Sequence, residues 1–149
     1  MGLGCRRFCL GFIIMFSIIT SPEAHMAGYW SVNCGGFGGS IQIHRINTAE
    51  INVNENNLFV SALVKKDLNG VIKIYYNHFI ESVNDKIDWN DISKEKPIAE
   101  AELKNGILHL SWKGFFDVKK NDYIWQEEAD FVIASNGEVN TKMKRCIFD

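Results

Sequence analysis

Leu58-Phe59-Val60-Ser61-Ala62-Leu63-Val64-Lys65-Lys66, then Asp67-Leu68-Asn69-Gly70, then Val71-Ile72-Lys73-Ile74-Tyr75-Tyr76 is the stretch that decides the fold. Leu58, Val60, Ala62 and Val64 recur at every second position, and so do Ile72, Ile74 and Tyr76 beyond the turn. A strand sends successive side chains to opposite faces, so this spacing buries one face and wets the other. Between the runs, Asn69-Gly70 tolerates the positive φ that both central residues of a type I′ turn require, and that turn's twist matches the strands it joins. The stretch reads as an antiparallel hairpin, Leu58–Lys66 with Val71–Ile80. On this reading His78 and Ile80 continue the buried face, with His78 a hydrogen-bonded core histidine.

Two more Asn-Gly pairs, Asn105-Gly106 and Asn136-Gly137, lie between strand-like runs. They predict hairpins of Ile98–Lys104 with Ile107–Lys113 and of Ala129–Ala134 with Glu138–Ile147. Leu108, Leu110 and Trp112 share a face, across from Ala99, Ala101 and Leu103, and Val139, Met143 and Ile147 extend the pattern. Upstream, Ile41 and Ile43 and then Ala49, Ile51 and Val53 alternate with polar residues. Gly35-Gly36-Phe37-Gly38-Gly39 reads as a flexible turn, since no Lys-Ser/Thr pair follows to make it a phosphate loop. Glu81–Lys96 departs from the pattern, and Asp88–Ile92 within it reads as a helical turn before Pro97 restarts a strand. One-sided burial and tight hairpins predict an all-β fold, a small antiparallel β-barrel of eight or nine strands with a sandwich as the variant. A packed core and a ligand cavity are both compatible with its inner face.

The ends of the 149-residue chain fix its setting. Arg6 and Arg7, the apolar run Cys9–Ile19 and the small residues Ala24 and Ala27 have the layout of a secretory signal peptide. This predicts a signal peptide over 1–24 and one domain over 25–149, periplasmic or secreted, with membrane contact only through the signal peptide before cleavage. Cleavage would take basic residues from 16 to 14 and acidic ones from 18 to 17, a formal charge of −3. That net charge predicts no general attraction to nucleic acid or anionic lipid, and Lys142–Arg145 reads as an exposed strand edge. The two cysteines that remain, Cys34 and Cys146, are expected to pair in an oxidising compartment, joining the first and last strands; two free thiols are the alternative.

Little in the sequence points to chemistry. His44, His78 and His109 lack metal-ligand spacing, so no metal and no cofactor is expected. Glu127, Glu128 and Asp130 lie near Trp125, but no nucleophile turn accompanies them, and the expectation is a protein that is not an enzyme. The aromatic residues are more informative. Phe115, Tyr123 and Trp125 gather around the Trp112–Trp125 corner beside Lys113, and with Trp89 they form the candidate interface, because aromatics bury much area at low entropy cost.

Two resemblances bear on function. Gly28-Tyr29-Trp30 resembles the Gly-x-Trp signature of lipocalins, whose tryptophan closes one end of the barrel beneath an arginine of the last strand; this implies Trp30 and Arg145 as the closing pair. The aromatic-then-cysteine opening Tyr29–Cys34, Trp112-Lys113-Gly114 and the late Cys146 are similar to exported C-type lysozyme inhibitors, although the Ser-Gly-x-x-Tyr inhibitory segment is absent. Together they imply an exported binding protein, an inhibitor or immunity-type protein whose partner is an exported hydrolase or toxin. A lipocalin-like carrier of a small hydrophobic ligand is the alternative.

Overall fold

In β4 (Leu58–Lys66), burial alternates from Leu58 to Val64 and is lost at the two lysines. The same alternation runs through β3 (Thr48–Asn54) and β7 (Ile107–Trp112). The computed structural model describes residues 26–45, 47–55, 57–83 and 86–148, and the signal peptide expected over 1–24 lies outside them. Around these strands lie β1 (Gly28–Ser31), β2 (Ser40–Ile43), β5 (Ile72–Ser82) and β6 (Pro97–Lys104). Then come β8 (Phe115–Asp117), β9 (Asp122–Ile124), the one-turn helix α1 (Asp130–Ile133) and β10 (Asn140–Cys146).

Eight strands form a closed antiparallel barrel in the order β1-β10-β7-β6-β5-β4-β3-β2, and β8 and β9 pair separately. From β2 to β7 each strand pairs with the next in sequence, as short turns favour. The ring closes where β1 meets β10, with Trp30 opposite Arg145 and Tyr29 opposite Cys146. Because neighbours alternate in direction, the β2–β3, β4–β5 and β6–β7 turns share one end with the start of β1 and the finish of β10. This is the turn end. The β1–β2 loop, the β5–β6 connection and the segment carrying β8, β9 and α1 share the other, the loop end.

The inside of the barrel is occupied by side chains. Ile41, Ile51, Val60, Ile74, Leu108 and Met143 are fully buried from six different strands. Trp30 is 1% exposed and donates its indole N–H to the Met26 carbonyl at 2.8 Å, so the large ring is buried with its polar atom satisfied. At the loop end, Phe131 is fully buried, and Asp130 beside it accepts hydrogen bonds from Asn54 Nδ2 at 2.9 Å and the Glu55 N–H at 2.6 Å. Those bonds satisfy a buried carboxylate and hold α1 onto the rim of β3.

Three sequence expectations are corrected. Ala129–Ala134 is not a strand. Its residues form α1, and Asn136-Gly137 closes that helix: the Gly137 N–H reaches the Val132 carbonyl and the Asn136 N–H the Ile133 carbonyl. This is a Schellman cap, which uses the positive φ of Asn136 (58°) as a hairpin turn would have. Secondly, His78 and Ile80 are exposed, because β5 slips against β4 between Ser61/Ala62 and Phe59/Val60 and each slip reverses the alternation. Thirdly, Lys142–Arg145 is no sheet edge; β10 is paired on both sides, and Val139 and Ile147, beyond its ends, are exposed.

Candidate aromatic interface at the loop end

Asp88 begins the site. Its carboxylate accepts the Asn90 N–H at 3.1 Å and caps a single 3-10 turn, Trp89–Asp91. The turn lays the Trp89 ring against three others: stacked on Tyr76 at 5.4 Å, edge-on to Phe115 at 5.4 Å and tilted on Phe79 at 5.5 Å. Underneath, Phe115 meets Trp112 at 5.6 Å, and Trp112 meets Phe131 at 5.1 Å, both edge to face. A continuous run of rings therefore leads from the barrel core to the surface. Offset and edge-on pairs of this kind are worth about 0.5–1.5 kcal/mol each beyond the area they bury.

The pairing explains why the run emerges here. β5 and β6 are paired only from Ile72 to Tyr75, because Pro97 begins β6. Tyr76–Ser82 continues past that point, and Trp89 fills the space beside it. Phe79 is left 46% exposed, Val83 65% and Val118 54%.

The β8–β9 hairpin forms the adjoining wall. Phe116 and Tyr123 pack edge-on at 5.2 Å, with the Lys96 ammonium 5.4 Å from the Phe116 ring. The Tyr123 hydroxyl donates to the Pro97 carbonyl at 2.9 Å and ties the hairpin to β6. The Trp112 indole N–H donates to the Trp125 carbonyl at 2.8 Å, and Trp125 is held at φ 60°, uncommon for a bulky residue. Gly114 makes the approach possible, since a Cβ there would collide with the Ile124 carbonyl.

Polar groups rim the patch. Lys119 Nζ pairs with Asp91 at 2.8 Å, which raises the lysine's pKa, and Lys113 pairs with Glu100 at 3.6 Å. Burial pushes the Tyr76 phenol up, and Tyr123 is raised by burial and then by the charge of Glu100. The Asp117 carboxyl lies below the ordinary range, chiefly through the hydrogen bond from the Lys120 N–H, aided by that from Lys119.

The predicted site residues separate into groups. Cys34 and Cys146 are joined, with their Cα atoms 5.5 Å apart. Arg145 lies over the Trp30 ring, 4.8 Å from its centre. Trp89, Lys113, Tyr123 and Trp125 are half-buried at the loop end. Trp112 and Phe115, counted in the candidate interface, are 2% and 0% exposed; their alternating positions point inward, so they support the patch from below and do not face a partner. Phe116, Val83 and Val118 were not anticipated. The half-burial of Phe116 and the exposure of Val83 and Val118 follow from the short β8–β9 sheet and the β5–β6 split, neither of which has a local sequence signal.

Among the described residues, no three His, Cys, Asp or Glu side chains converge as a metal would need. Compared with protein-family models, curated proteins and solved structures, the chain matches none.

Proposed function

We propose that this chain is an exported binding protein, an inhibitor or immunity-type protein that meets an exported hydrolase or toxin through the aromatic loop end. The observation that carries this reading is the Phe79–Trp89 pair, partly exposed and backed by rigid rings. Partner contacts draw most of their energy from a few aromatic anchors whose rotamers are already fixed. The signal-peptide pattern and the disulfide favour an exported setting.

The carrier reading keeps one supporting feature, the Trp30–Arg145 contact. A carrier needs a pocket of roughly 300–1,000 Å³. Inward side chains such as Ile41, Ile51, Val60 and Ile74 are inaccessible to a water-sized sphere, which favours surface recognition.

The test is capture from a panel of exported hydrolases and toxins by the immobilised, disulfide-bonded chain. A partner binding below micromolar concentration, weakened at least about tenfold by Phe79→Ala, is the expected result for a central anchor. No partner at micromolar concentration would sink the proposal.

A further inference from the structure

The formal charge of −2 conceals a division between the two ends of the barrel. At the turn end, Arg45 lies between β2 and β3, Lys65, Lys66 and Lys73 flank the β4–β5 turn, and Lys104 precedes the β6–β7 turn. Lys144 and Arg145 finish β10. Against them, among the described residues, the turns and the close of β10 bring one carboxylate, Asp67, which pairs with Lys73 at 3.3 Å. Glu102, one step further along β6, pairs with Lys104 at 3.0 Å. The acidic excess sits at the opposite end, where Asp122, Glu127, Glu128 and Glu138 are exposed.

Distance lets the two ends act separately. β4 runs nine residues between them. At about 3.3 Å per residue it far exceeds the Debye length of about 8 Å at physiological salt. A partner at the turn end therefore meets a cationic surface, whatever the sign of the whole chain.

The same end exposes apolar side chains. Leu68 stands at the tip of the β4–β5 turn, 106% exposed, and Ile147 and Phe148 follow β10 at 85% and 65%. Phe148 is braced edge-on by Tyr29 at 5.1 Å. Cations beside protruding aliphatic and aromatic side chains suit a surface with anionic headgroups over hydrocarbon. A nucleic acid would answer the lysines and leave Leu68 without a counterpart.

We infer that the turn end is a docking surface for an anionic lipid leaflet, which sets the aromatic loop end facing away from the membrane. This rests on strand topology and charge placement, independently of the proposed protein partner.

The test is flotation of the full chain with phosphatidylcholine vesicles, with and without phosphatidylglycerol. Residues 9–19 are apolar and can bring the chain to either vesicle, so the readout is the ratio of the two affinities. An anionic preference of at least tenfold, falling steeply with salt, is expected. Each basic side chain near such a surface is worth about fivefold in affinity, so Lys65→Glu with Lys66→Glu should remove most of the preference. Leu68→Ser should weaken anionic-vesicle binding severalfold, and Phe79→Ala should leave the ratio unchanged. Equal binding to both vesicles overturns the inference. So does tight binding to single-stranded DNA that depends on Lys65 and Lys66 while Leu68→Ser alters nothing on vesicles, since the surface would then be a polyanion site. Should a charge variant misfold by circular dichroism, the salt dependence of the unaltered chain decides alone.

Discussion

The Arg145 guanidinium lies 4.8 Å from the centre of the Trp30 ring, on the strand directly beside it. Gly28 serves through its backbone, at φ 148°, and not through space, since a Cβ there would make only ordinary contact with Arg145 Nε at 3.4 Å. Arg145→Ala should cost about 0.5–2 kcal/mol, the range of an exposed to desolvated cation–π pair. Trp30→Ala, which empties a buried position, should cost about 3–5 kcal/mol. Urea unfolding midpoints measure both, and equal losses would show that the arginine does more than cover the ring.

The disulfide should contribute to stability on the scale of the buried Trp30 ring. Cys34 and Cys146 are 112 residues apart. Cross-linking a loop of that size restricts the unfolded chain by up to about 4.7 kcal/mol in the chain-entropy account. Unfolding with and without reductant, beside the Cys34→Ser, Cys146→Ser double variant, should give a loss of about 2–5 kcal/mol. A loss under about 1 kcal/mol would mean that the reduced chain is already held together by strand pairing.

Gly114 and Gly106 both have positive φ, 88° and 76°, but their surroundings differ. A Cβ at Gly106 meets nothing within 4 Å, whereas at Gly114 it runs into the Ile124 carbonyl. Gly106→Ala should cost about 1 kcal/mol for backbone strain alone. Gly114→Ala should cost more than about 2 kcal/mol and shift near-UV circular dichroism, because it pushes β9 away from Trp112. Similar melting temperatures for the two variants would count against that packing.

Asp117 should make stability fall in acid. Hydrogen bonds from the Lys120 and Lys119 N–H groups hold its folded pKa below that of an ordinary aspartate. A depressed folded pKa gives stability that is complete above the unfolded value and disappears as pH falls through the folded one. The melting-temperature deficit of Asp117→Asn should therefore be full at neutral pH and shrink as pH falls through the lowered folded pKa. A deficit independent of pH would assign the effect to geometry instead of charge.

What could be read from the sequence was local. Asn69-Gly70 and Asn105-Gly106 each join two period-two runs, and both hairpins are present, but only the second has positive φ at both residues as a type I′ turn requires; at the first, Gly70 alone has positive φ, in a longer turn closed by the Gly70 N–H on the Asp67 carbonyl. Asn136-Gly137 has the same letters but closes α1, because what such a pair supplies is positive φ, and a helix end needs that as much as a hairpin does. The slips in β5 leave no mark in its residues, since they arise from pairing with β4, and so His78 was placed on the wrong face. Trp112 and Phe115 were grouped correctly with the aromatic corner. Their burial follows from their inward positions on β7 and β8, where the Phe115 ring packs on both Trp112 and Trp89.

One consequence concerns the order of the chain. Tyr29 stands opposite Cys146, so the first strand and the last are immediate neighbours. The barrel is in effect a circle of strands that the polypeptide happens to cut between β10 and β1. A permuted chain that links β10 to β1 and opens instead at Asn105-Gly106 would keep every strand beside its present partners. Deleting β10, by contrast, would remove the strand that joins β7 to β1 and leave an open sheet with two bare edges, a template for aggregation.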